Sequence, residues 1–87
     1  MSSQFKMNVE DIFLVGGKTV FAGDLETPSK NIMVTPCKVF VDGTDIAQIL
    51  IEGEVLGVGG HRDLWTKSKV QLDRETVRMH KVQLISV

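Results

Sequence analysis

Two histidines, one cysteine and two pairs of carboxylates are the side chains here whose types could do chemistry. His61, His80 and Cys37 are scattered, without the close pair spacing that makes a zinc motif, so no metal site is expected. Nothing in the spacing brings the thiol to an imidazole, so no Cys–His nucleophile is expected either. The carboxylates occur as Glu10-Asp11 and as Glu52 and Glu54 around Gly53. Acid/base hydrolysis needs two carboxyl groups facing one cleft in different environments. Neighbours on a regular strand point to opposite faces, which separates Glu10 from Asp11. Glu52 and Glu54 are expected to face solvent. Gly17-Lys18-Thr19 is a fragment of the phosphate-loop motif, but Ile12 stands where its first glycine belongs, and the stretch reads as a hairpin. Gly57-Val58-Gly59-Gly60 could turn N–H groups toward an anion; with no helix start behind it, it reads as a turn. The expectation is a chain that is not an enzyme and takes no cofactor.

The elements that would position these residues are short strands. Ile12 to Val15 and Thr19 to Ala22 flank Gly16-Gly17, a pair suited to the positive φ of a tight hairpin turn. Both runs are almost wholly apolar, so cover on both faces is expected for part of their length. Glu26 to Cys37 breaks the pattern, and Pro36 removes a ladder donor, so an irregular or edge segment is expected there. Val39-Phe40-Val41 leads into Asp42-Gly43, a strong hairpin signal, and Ile46, Ile49, Leu50 and Ile51 return from it. Helix competes with strand for Asp45 to Ile51; the β-branched residues and nearby glycines favour strand. Gly53 marks a bulge or bend before Val55-Leu56, and Gly57 to Gly60 a flexible corner. Val70-Gln71-Leu72 reads as a short strand, Asp73 as the N-cap of a single helical turn, and Val82 to Val87 as a closing strand. Turn signals every ~8–12 residues indicate an all-β barrel or sandwich.

Totals bound the rest. The chain has 87 residues, enough for a single domain, expected to be ordered from about residue 5 onward. At that size roughly 60–65% of the unfolded surface can be buried. An apolar fraction of 43% is that of a globular protein, and the lone Cys37 rules out an internal disulfide and fits a reducing compartment. Apolar runs stop at about five residues, far short of the ~20 of a membrane helix, and the first residues lack a signal-peptide core. A soluble, cytoplasmic protein without membrane contact is expected. Net charge is −1, from ten basic and eleven acidic residues, so the basic excess of a duplex binder is missing and no DNA partner is expected. Cations do gather after Gly60, at Arg62, Lys67, Lys69, Arg74, Arg78 and Lys81. Trp65 reads either as a plug at one end of the core or, with Arg62, as an exposed anchor of an interaction surface.

Phe5-Lys6-Met7-Asn8-Val9-Glu10-Asp11-Ile12-Phe13 resembles the start of the β-barrel second domain of translation elongation factor Tu, and Gly16, Gly17, Thr19, Val20 and Gly23 continue its first hairpin. Val39 to Gly43 resembles the next strand and turn, and Leu56 to Arg62 a strand ending in a His-Arg pair. Arg74 to Arg78 and Val82 to Leu84 fall where that family has a charged turn and its closing strand. The resemblance implies an all-β fold, a small closed antiparallel β-barrel of the translation-factor second-domain type. It further implies that Glu10, Asp11 and Phe13 line an amino-acid pocket and that His61 lies near the terminal nucleotide of a bound tRNA. Ala22, Gly59 and Lys69 depart from the family's polar pocket, and a longer Glu26 to Lys38 segment replaces its compact turn. Unpaired ligand groups cost about 1–3 kcal/mol each. The family's GTPase domain, which supplies half the cleft, is not in this sequence, so aminoacyl-tRNA binding by this chain alone is not expected. The function expected is a non-catalytic interaction module, with a protein partner or self-association. An RNA-binding module and a small-ligand barrel are the alternatives.

Overall fold

Alternation of buried and exposed residues sets the faces of the strands. The computed structural model describes residues 5–26, 34–55 and 61–87. Along β1 (Lys6–Val15), Met7 and Val9 are buried, and along β3 (Thr35–Val41), Thr35, Cys37 and Val39. Ile49 and Ile51 continue the series in β4 (Thr44–Ile51), Leu64 and Thr66 in β6 (His61–Thr66), and Val82 and Leu84 in β7 (Val82–Ser86). This period of two is the signature of a sheet with one face on the core. With Phe21 of β2 (Lys18–Leu25) the apolar members of this series, all but Thr35 and Thr66, form one hydrophobic cluster. The remaining elements are β5 (Gly53–Val55) and a six-residue helix, α1 (Arg74–Met79).

The strands form a single antiparallel sheet in the order β4-β3-β7-β1-β2-β6-β5. The closed barrel expected from sequence is therefore not what the ladders make: the sheet is open between β4 and β5. These two edges are nonetheless consecutive in the chain, separated only by Glu52, whose N–H donates to the Trp65 carbonyl at 2.9 Å. The Thr66 hydroxyl donates to the Leu50 carbonyl at 2.7 Å.

Both hairpin turns have the backbone that two-residue loops demand, with Gly16 at φ 55°, Gly17 at 80°, Asp42 at 51° and Gly43 at 83°. Asp73 caps α1 by accepting from the Thr76 N–H at 2.8 Å. Two expectations change. Pro36 lies in an interior strand: β3 pairs with β4 and with β7, and the β7 ladder begins only at Cys37, so the missing N–H falls at its end. Val70 and Leu72 are not in a strand; they pack on the core without ladder bonds. The apolar first hairpin is covered on both faces for part of its length, over Phe21 to Gly23, but not at its turn end, where Leu14 is 85% exposed. The Gly57 to Gly60 corner and the loop around Pro28 lie outside the described residues.

Cys37 is fully buried, and that burial pushes its thiol up to about 12, so it stays protonated and unreactive. Among the described residues no helix is long and apolar enough to cross a membrane.

Asp42 ties the β3–β4 turn to the end of α1. Its carboxylate accepts from the Lys81 N–H at 2.9 Å and meets His80 Nδ1 at 2.6 Å. These contacts, the Lys81 N–H first and His80 second, hold its carboxyl below the ordinary value of 3.8. A carboxyl depressed on folding adds stability that is present above its unfolded value and is lost as pH falls through the folded one. Asp42→Asn is expected to flatten the fall in stability below pH 3.8, while the wild type keeps the steeper acid limb. Urea denaturation of both proteins at pH 7 and pH 3 checks it.

Candidate functional site

A bulge decides which residues of β1 leave the core. Val9 stands opposite Gly23 and Asp11 opposite Ala22, so Glu10 is the extra residue. The inward phase set by Met7 and Val9 thereby skips two places and resumes at Ile12. Glu10 and Asp11 both fall outside the core, which a regular strand would have forbidden. Glu10 is exposed, while Asp11 is engaged by α1: Arg74 donates through Nε and through Nη2 to its two carboxylate oxygens, each at 3.0 Å. That guanidinium first, then the Ile12 N–H, holds the Asp11 carboxyl below its ordinary value.

Beyond Asp11 the strand runs past the core. Phe13 is 38% exposed, Leu14 85% and Val15 59%. These residues, with Ile12, form one wall of a groove of about 510 Å³, and Val70 and Leu72 form the other. The volume lies within the ~300–1,000 Å³ of ligand clefts. Arg74 closes one end, its guanidinium 5.4 Å from the centre of the Phe13 ring.

Cross-strand partners share a face of the sheet. Phe13, Val20 and Trp65 are successive partners across β1, β2 and β6, so the tryptophan lies on the same outer face as Phe13. It does not plug the core. Its indole lies across Gly53, where a Cβ would come within 2.9 Å of Nε1, and Lys18 Nζ sits 4.5 Å from the ring centre.

The structure thus brings Asp11 and Phe13 together but leaves the other candidates elsewhere. His61 pairs across β2 with the Asn8 row, between Asp24 at 3.7 Å and Asp63 at 3.5 Å. Arg62, expected on an interaction surface, makes a two-pronged pair with Glu54 at 3.2 and 2.9 Å, its side chain 20% exposed. Glu54, its side chain 16% exposed, is therefore not a solvated carboxylate, while Glu52 accepts from the Lys67 N–H at 2.7 Å in an exposed bond. Ala22 is buried, Lys69 is exposed, and Gly59 lies outside the described residues. Among the described residues no group of three or more His, Cys, Asp or Glu could hold a metal ion.

Sequence reasoning missed Leu14, Val15, Val70 and Leu72 as groove residues, and missed Arg74 as the partner of Asp11. The one signal, for Leu14 and Val15, was the excess of apolar residues in the first hairpin. Comparison of the chain with protein families, with curated proteins and with solved structures returns no match.

Proposed function

We propose that this chain is a non-catalytic, cytoplasmic interaction module that docks a protein partner on the groove beside β1. The scaffold would be a translation-factor-type barrel, closed where β4 runs into β5. The Glu52–Trp65 and Thr66–Leu50 bonds across that seam support the closure. One observation carries the docking reading: Phe13, Leu14 and Val15 stand exposed in a row along an apolar groove. Full burial of a Val or Leu side chain stabilises by roughly 1.5–3 kcal/mol, and the isolated chain leaves most of that unused at Leu14 and Val15.

RNA binding has a narrower basis, the cations Lys18 and Arg74 lying over Trp65 and Phe13. Those cations occupy the ring faces on which bases would stack, and the groove wall beside them is apolar.

Affinity capture from the native cell with the wild type and with Leu14→Asp tests the docking reading. Loss of about 1.4 kcal/mol is a tenfold change in affinity, so retained proteins are expected to drop at least tenfold with the variant. Its circular dichroism should be unchanged, since Leu14 contributes almost nothing to the core. Equal capture by both proteins would refute docking at this groove.

A further inference from the structure

Of the six aspartates only Asp42 is followed by glycine; the others precede isoleucine, leucine or arginine, and neither asparagine precedes glycine. That neighbour changes the chemistry open to the carboxyl group. With no side chain on the next residue, its backbone nitrogen can reach the aspartyl Cγ and close a five-membered ring. A bulky neighbour hinders the same approach at every other aspartate. The site is also accessible. Asp42 and Gly43 form the β3–β4 turn at φ 51° and 83°, nothing lies within 4 Å of a Cβ added at Gly43, and the Asp42 side chain is 55% exposed.

The fold opposes the step from one side. The Asp42 N–H donates to the Lys81 carbonyl at 2.8 Å, Oδ1 accepts from the Lys81 N–H at 2.9 Å, and Oδ2 meets His80 Nδ1 at 2.6 Å. Both carboxylate oxygens are thus turned toward the joint between α1 and β7, 38 and 39 positions along the chain. While they are held there, Cγ cannot swing onto the Gly43 nitrogen. The Lys81 N–H, and after it His80, also favour the ionised carboxyl. A carboxylate is a poorer electrophile than the acid, because it has no hydroxyl to release as water.

We infer that Asp42-Gly43 is a self-modification site restrained by His80 and Lys81: when the α1–β7 joint lets the carboxyl go, the chain isomerises there to isoaspartate. The Gly43 nitrogen bonds to Cγ, its proton and the carboxyl hydroxyl leave as one water, and a succinimide forms. Water then adds at the Asp42 α-carbonyl carbon and breaks its bond to the Gly43 nitrogen. The chain now runs through Cβ and Cγ, the mass is unchanged, and no oxidant or cofactor takes part. The product carries one more main-chain atom in a turn whose two-residue geometry fits the twist of its strands without it. Its free carboxylate sits on Cα, where it no longer matches the His80 and Lys81 contacts. A transient local opening is thereby converted into a lasting covalent change.

The protein, its His80→Ala and Ile49→Val variants, and a peptide of residues 38–45 are incubated side by side at neutral pH, below the thermal midpoints. Isoaspartate at position 42 is scored by peptide mapping with an endoprotease that cuts before aspartate and not before isoaspartate. The peptide lacks the joint and is expected to isomerise fastest, and the wild type slowest. The His80 side chain is exposed, so circular dichroism of His80→Ala should match the wild type. Its rate is expected to rise roughly tenfold, equivalent to about 1.4 kcal/mol of easier local release. Ile49→Val loosens the core away from these contacts and is expected to leave the rate at the wild-type level. The inference is overturned if the wild type keeps pace with the peptide, or if the peptide itself does not isomerise. It is overturned equally if His80→Ala is no faster than the wild type, if Ile49→Val is accelerated as much as His80→Ala, or if isoaspartate appears first at another aspartate.

Discussion

Gly23→Ala is expected to cost the protein about 3 kcal/mol or more. A Cβ at Gly23 would lie 1.9 Å from the Asn8 carbonyl oxygen, 2.9 Å from its carbon and 3.0 Å from Val9 Cα. All three atoms are backbone, so no rotamer change relieves the clash. The strands cannot simply part, because Asn8 also pairs with Gln83 of β7 and Gly23 with Arg62 of β6. For a domain of this size each 1 kcal/mol moves the thermal midpoint by about 4–8 °C, so a fall of roughly 12 °C or more is expected. Gly43→Ala makes the contrast. Gly43 has a φ of +83° and nothing within 4 Å of an added Cβ, so only backbone strain of about 1 kcal/mol applies. Thermal melts followed by circular dichroism rank the two. A Gly23→Ala midpoint at or above that of Gly43→Ala would mean that β1 and β2 do not approach as described.

Phe21→Ala is expected to cost about 3–5 kcal/mol, and Leu14→Ala about 0.5 kcal/mol or less. Phe21 is fully buried and stands between Ile12 and Leu64 in the ladder, so its loss leaves a cavity at the centre of the β1-β2-β6 packing. Stability of a whole domain is only ~0.05–0.15 kcal/mol per residue, so this one substitution removes a large share of it. Leu14 lies on the same hairpin and is no less apolar, yet 85% of it meets water. Urea denaturation of the two variants separates a packing residue from a docking residue. A Leu14→Ala loss above about 1 kcal/mol would place that side chain in the core and remove the basis for reading the groove as an interface.

Several features were legible because they are local. Gly16-Gly17 and Asp42-Gly43 specify their turns through the positive φ those residues tolerate, and the structure has both. Asp73 announced the start of α1 because capping needs only a short side chain and an N–H three residues on. Val70-Gln71-Leu72 misled for the complementary reason: its alternation suits a strand, but among the described residues no neighbouring strand pairs with it. At Pro36 a sound local rule was overridden by register, because the β7 ladder starts one residue later.

The site itself was half legible. Asp11 and Phe13 do lie at the groove, but through a bulge at Glu10 that no residue type signals, since a bulge is a mismatch between two strands. The Asp11–Arg74 pair joins residues 63 positions apart. His61 and Arg62 were drawn toward the site by resemblance, whereas the β2–β6 register places His61 with Asp24 and Asp63 and turns Arg62 to Glu54.

By itself the sequence determined the all-β class, both hairpin turns, the helix cap and the abundance of apolar residues in the first hairpin, all consequences of backbone preference and side-chain hydropathy over a few positions. Only the tertiary structure decided that β7 stops pairing with β1 at Val9, and hence that, among the described residues, Asp11 to Val15 has a strand on one side alone, beside an apolar groove. A strand's own residues state that it will pair. They do not state how far its partner reaches, which depends on where a strand some seventy residues away begins and ends.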